Sequence, residues 1–183
     1  MTDISNEARI EAAQAKARRV RIAVFDVDGV MTDGTLFLDD LGNESKGFNS
    51  LDGHGLKMLA RTGVALAIIT GRRSRCVELR AQNLGITLVR QGVEDKLASF
   101  DELLASLGLA RSAAAYMGDD VVDLPVMRHC GLAVSVPAAS ALVRAGADLV
   151  TTHEGGHGAV REACEFIMSA QGSLDAELER YLR

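Results

Sequence analysis

Short apolar runs recur along the chain at regular intervals. Residues 20–27, VRIAVFDV, form a nearly continuous one, the pattern of a parallel strand covered on both faces. Similar runs fall at 64–69, 86–89, 113–117, 132–134 and 148–150. Between them lie helical patterns at 55–62, 74–84, 96–107, 121–129 and 138–145, and an Ala-rich, charged segment at 6–19 opens the chain. Short apolar strands alternating with helices predict right-handed βαβ units and an α/β fold with a doubly wound parallel sheet. Ligands bind such sheets at the carboxyl ends of their strands. One stretch breaks the alternation. Residues 35–38, a turn at 39–43 and residues 44–48 read as a β-hairpin, spanning 34–49 with its flanks, that projects from the sheet.

The 183 residues suit one domain, and 48% apolar content with 4% aromatics and no Trp requires an aliphatic core. A formal charge of −5 excludes a nucleic-acid surface, which needs clustered Lys and Arg. The N-terminus carries Asp3, Glu7 and Glu11 and lacks a signal-peptide pattern, and no apolar run approaches the ~20 residues of a membrane span. The chain therefore reads as a cytoplasmic protein without a membrane partner. Cys76, Cys130 and Cys164 lie far apart without zinc or disulfide spacing and read as reduced structural thiols.

The chemistry gathers at strand ends. Asp26–Val27–Asp28–Gly29 closes the first buried run, and strand alternation would send Asp26 and Asp28 to one face. Two carboxylates there repel unless a cation or proton separates them. Gly118–Asp119–Asp120–Val121–Val122–Asp123 follows another buried run, with Asp119 and Asp123 expected on one helical face and capping as an alternative role for Asp120 and Asp123. Such acids suit Mg²⁺, which takes one or two carboxylates and keeps several waters. Asp26 and Asp119 are the expected carboxylate ligands. Thr70–Gly71–Arg72 offers a hydroxyl, a permissive backbone and a cation where a helix begins, although a capping threonine fits as well. Lys96 opens a helix, a place unfavourable to a cation unless it faces carboxylates and a phosphate. Together these residues predict phosphate transfer: Asp26 as nucleophile, Asp28 as general acid and base, and Thr70 and Lys96 holding phosphate oxygens.

The order DxD, TG, Lys, GDDxxD over residues 20 to about 150 resembles the haloacid dehalogenase superfamily. The resemblance implies a Rossmann-like fold, Mg²⁺ bound by Asp26, Asp119 and the backbone carbonyl of Asp28, and support from Asp120. DVDGVMTDG, the hairpin, GFNSLDGHG, ITGR, GDDVVDLPVM and GGHGAVRE further resemble the 3-deoxy-D-manno-octulosonate 8-phosphate phosphatase family. That implies a sugar acid phosphate substrate in lipopolysaccharide synthesis and a homotetramer whose hairpins form a shared barrel. It also assigns Asn49, Arg72 and Arg80 to substrate binding alongside Asp28 and Lys96. Arg72 and Arg80 would lie two turns apart if one helix spans them. His54 and Arg161 are further candidates near substrate or subunit seam.

Three alternatives fit the sequence less well than this reading. A receiver domain would carry its phosphorylated Asp on a later strand, after the acidic pair. A phosphomutase needs a lid, and the 41 residues between Asp28 and Thr70 and the 25 between Thr70 and Lys96 leave no room for a cap domain. A non-catalytic interaction domain of the same fold would not need all four motifs. Phosphatases for nine-carbon keto-sugar acid phosphates are the nearest rivals. Residues 172–183, polar and charged, are expected as a mobile tail of the single domain, covering a neighbour's site.

Overall fold

The computed structural model describes residues 6–182. Six parallel strands form the central sheet: β1 (Ile22–Phe25), β4 (Ala65–Thr70), β5 (Leu88–Gln91), β6 (Ala114–Met117), β7 (Leu132–Ser135) and β8 (Leu149–Val150). Their order is β5-β4-β1-β6-β7-β8, so the chain winds outward from β1 in one direction and then in the other. β2 (Phe37–Leu38) and β3 (Glu44–Ser45) form the separate antiparallel hairpin. Every residue of β1, β6 and β7 is buried, as the unbroken apolar runs require.

Right-handed crossovers place α2 (Ser50–Arg61) and α3 (Arg75–Leu84) on one face of the sheet. They place α4 (Lys96–Leu107), α5 (Leu124–Met127) and α6 (Ala141–Ala145) on the other. α7 (Ala159–Ala170) packs against α2 and against α1 (Asn6–Ala17), so both join the first face. Among the described residues no helix is long and apolar enough to cross a membrane.

Several elements differ from the sequence pattern. α2 begins at Ser50 rather than 55, because Asn49 caps it by accepting from the Leu51 and Asp52 amides. The helix expected over 121–129 is a 3₁₀ turn at Val121–Asp123 followed by the four-residue α5, with Pro125 in its first turn. Arg72 and Arg80 do not share a helix, since α3 starts at Arg75 and leaves Arg72 in the preceding loop. Phe48 packs on the core beneath the Arg80 guanidinium, 5.7 Å from its ring centre, and leaves Leu36, Phe37, Leu38 and Leu41 as the hairpin's exposed apolar side chains.

In place of a mobile tail stands α8 (Leu174–Glu179), docked on its own chain. Arg61 Nε donates to Glu177 Oε2 at 2.8 Å, and Arg61 Nη2 to the Tyr181 hydroxyl at 3.0 Å. Tyr181 also meets the His54 ring edge-on.

Candidate active site

The strand order reverses between β1 and β6, and a cavity of about 350 Å³ opens at their carboxyl ends. Asp26, Asp28, Thr70, Gly71, Arg72, Lys96, Asp119 and Asp120 stand in its wall. β1 stops at Phe25, so both DxD acids reach the cavity from the loop that follows it rather than from strand alternation. Gly29 turns that loop with φ +85°, and a Cβ there would lie 2.0 Å from Asp119 Oδ2. Any larger residue would push the two acidic loops apart.

Lys96 binds the floor together. It is 5% exposed, with Nζ 2.9 Å from Asp26 Oδ2 and 2.7 Å from Asp123 Oδ1. Burial alone would lower the lysine pKa, but Asp26 and Asp123 together raise it, so the ammonium stays charged. Its place at the start of α4 has a structural reason as well: Asp95 caps the helix by accepting from the Ala98 amide, and Lys96 turns inward.

Asp123 is fully committed. Its Oδ1 accepts from Lys96 and, at 2.6 Å, from the buried Tyr116 hydroxyl. Its Oδ2 accepts from the Asp119 and Asp120 amides, each at 3.1 Å. Asp119 and Asp123 thus meet through this backward fold of the Asp123 carboxylate, not along a helical face. Oxygens of Asp26, Asp119 and Asp123 lie within 4.8 Å of one another, but the committed Asp123 orients the loop and leaves Asp26 and Asp119 free to ligate.

Those two acids are charge-starved. Burial, with Asp123 adding to it and Lys96 opposing, pushes the Asp26 carboxyl up to about 6. Burial and the nearby Asp26, Asp123 and Asp120 push Asp119 up to about 7. Asp119 Oδ1 is buried without a hydrogen-bond partner. An orphaned carboxylate oxygen beside a second carboxylate fits a hard divalent cation.

Thr70 ends β4, buried, and its carbonyl accepts from the Val93 amide, which draws the Gly92–Val93 loop beside it. Arg72 stands at the cavity rim. Asn49 and Arg80 are not in the cavity wall. Besides capping α2, Asn49 offers its carbonyl to Arg80 Nη2 at 2.9 Å, so these two positions bind each other. Arg161 likewise engages its own helix, through Glu165, and lies outside the wall. Two residues outside the strand-end motifs also belong to the site: the hairpin carries Lys46 up to Asp28, with Glu44 paired to that lysine. Their two-residue spacing, which puts both side chains on one face of a strand, was the available signal.

Fold and site together define a phosphatase of the haloacid dehalogenase (HAD) superfamily, and known proteins agree. A HAD-superfamily (subfamily III A) hydrolase from Legionella pneumophila superposes with TM-score 0.92 at 40% identity, over 96% of this chain and 97% of that one. The 3-deoxy-D-manno-octulosonate 8-phosphate phosphatase KdsC of Escherichia coli (strain K12) is 45% identical over 161 residues, 88% of this chain and 86% of that protein. The phosphatase of the same name from Moraxella catarrhalis, solved with a magnesium ion, a phosphate ion and a KDO molecule, superposes with TM-score 0.92 at 42% identity, over 97% of this chain and 99% of that one. No family model matches the sequence. The chain belongs to the 3-deoxy-D-manno-octulosonate 8-phosphate phosphatase family.

Proposed function

We propose that this protein hydrolyses 3-deoxy-D-manno-octulosonate 8-phosphate to the free sugar acid and phosphate, in the cytoplasm, as a step of lipopolysaccharide synthesis. The observation that carries the reading is a buried carboxylate, Asp26, on a cavity floor shared with a buried lysine and an unpartnered second carboxylate. The substrate's phosphoryl group lies against Asp26, with Thr70 and Lys96 on its equatorial oxygens. An Asp26 carboxylate oxygen bonds to phosphorus as the bond from phosphorus to the sugar oxygen breaks, and Asp28 gives its proton to that departing oxygen. Asp28 then takes a proton from water, whose oxygen bonds to phosphorus as the aspartyl bond breaks, releasing phosphate and restoring Asp26. A Mg²⁺ ion held by Asp26, Asp119 and the Asp28 carbonyl supplies charge neutralisation between carboxylate and phosphate when bound.

The cavity has no cap domain of its own, and four copies joined through their hairpins provide the missing cover. Phosphate release from a panel of esters tests the substrate. The eight-carbon sugar acid phosphate should show the highest kcat/KM, ahead of a nine-carbon keto-sugar acid phosphate and of sugar phosphates lacking a carboxylate. A preference for the nine-carbon ester would reassign the substrate and leave the chemistry intact.

A further inference from the structure

Asp28 is ringed by charge. Lys46, just beyond β3, pairs with Asp28 Oδ1, and its Nζ lies 3.2 Å from Glu44 Oε1. Arg72 closes the ring, with Nη2 3.1 Å from Glu44 Oε1 and Nε 3.7 Å from Asp28 Oδ2. Carboxylates and cations alternate around it, drawn from the loops after β1 and β4 and from the hairpin.

The two cations are not equivalent. The Lys46 side chain is 1% exposed and the Arg72 side chain 46%. Water screens the Arg72 contact, and 3.7 Å is too long for a hydrogen bond. The Lys46 side chain is buried, paired also with Glu44, and absent from the cavity wall in which Arg72 and Asp28 stand. Oδ1 of Asp28 is therefore held by a group outside the cavity wall, and Oδ2 lies on the Arg72 side. An ammonium group can only donate, so the oxygen it grips is committed as an acceptor and Oδ2 is the oxygen left for the reaction.

We propose that Lys46 is a positioning residue for proton transfer: by holding Asp28 Oδ1 it reserves Oδ2 as the oxygen that carries the proton to the leaving group. The proposal rests on the phosphatase reading and on Asp28 as its general acid. Lys46 touches neither phosphate nor metal in this role. It fixes one rotamer of Asp28 and ties that rotamer to the hairpin.

The consequence is a dependence on the leaving group. An alkoxide departs poorly without a proton, whereas a nitrophenolate departs without one. The test compares kcat/KM of wild type and Lys46→Met, in saturating Mg²⁺, on the sugar acid phosphate, glycerol phosphate and p-nitrophenyl phosphate. kcat/KM covers the steps through formation of the phosphoenzyme, where the leaving group departs, and is blind to later hydrolysis. Both alkyl esters should fall about 100-fold and the aryl ester less than about threefold. Equal losses on all three esters, or no loss, would overturn the proposal. So would a loss confined to the sugar acid phosphate, which would make Lys46 a contact for the substrate carboxylate. If Lys46→Met does not fold, Glu44→Gln carries the same comparison, with about a tenfold alkyl loss and an unchanged aryl rate expected; a uniform change would overturn the idea. Wild type inactive on every ester would remove the phosphatase reading itself, whereas active wild type with a uniform response to substitution removes this inference alone.

Discussion

Asp119 sits where burial and neighbouring acids both oppose its ionisation, and its pKa rises to about 7. A carboxyl with a raised folded-state pKa binds its proton more tightly in the folded chain than in the unfolded one. Its contribution to stability is present below the unfolded value near 4 and is lost as pH rises through about 7. In chelator-treated protein, the melting temperature of Asp119→Asn should therefore gain on that of wild type as pH goes from about 4 to about 8. Parallel curves would show that Asp119 ionises without hindrance. Added Mg²⁺ should stabilise wild type increasingly over the same range, because the ion needs the deprotonated pair. Asp26 carries the other residue-scale expectation. Asp26→Asn keeps the shape of the side chain and removes its nucleophilic oxygen, so phosphate release should fall more than about 1,000-fold with the fold intact by circular dichroism. Retention of a tenth of wild-type activity would exclude the covalent route.

At the scale of elements, α7 depends on another helix for its start. Gly158 leads into it with φ +112° and provides no capping side chain. Asp52 of α2, 3% exposed, does so instead, accepting from the Arg161 amide at 2.8 Å and the Gly158 amide at 3.3 Å. Asp52→Ala would leave those amides unsatisfied and should cost about 1–2 kcal/mol in urea unfolding, with Asp52→Asn milder because it keeps one acceptor oxygen. Equal stability of all three proteins would show that the cap contributes nothing. This arrangement also marks what the sequence could tell. The buried strands were legible because a strand covered on both faces must be apolar throughout. α4 was legible to its ends because Asp95 and Gly108 punctuate it. The first turn of α2 was not, since Gly53 and Gly55 look like loop residues until a partner is known. A Cβ at Gly55 would lie 2.7 Å from Arg161 Cδ, so the glycine serves the approach of α7. α8 was illegible for a related reason: its anchors, Arg61 and His54, lie more than a hundred residues upstream. Among the candidate residues, those at strand ends converge because the sheet fixes where strand ends lie. Asn49 and Arg80 rested on resemblance, and here the Asn49 carbonyl accepts from the Arg80 guanidinium.

At the scale of the whole molecule, the hairpin leaves an apolar surface uncovered. Phe37 and Leu38 on β2 are 53% and 62% exposed, Leu41 in the turn is 86% exposed, and among the described residues β2 and β3 pair only with each other. A two-stranded hairpin is marginal alone in water, and free strand edges invite association. Closing four hairpins into a barrel would cover both the edges and the leucines. It would also hold Lys46 in place, since that lysine leaves β3 directly for Asp28. Assembly would thereby bear on catalysis through the Lys46–Asp28 ion pair and the Arg72–Glu44 contact beside it. Light scattering of wild type should give about four times 19.4 kDa. Leu36→Asp combined with Leu38→Asp should give a single-copy mass with an unchanged far-UV spectrum, because both side chains lie outside the core. Turnover of the sugar acid phosphate should fall in that monomer more than turnover of p-nitrophenyl phosphate, as the freed hairpin loosens its grip on Asp28. A monomer as active as wild type on both esters would separate the hairpin from the chemistry and leave it a device for assembly alone.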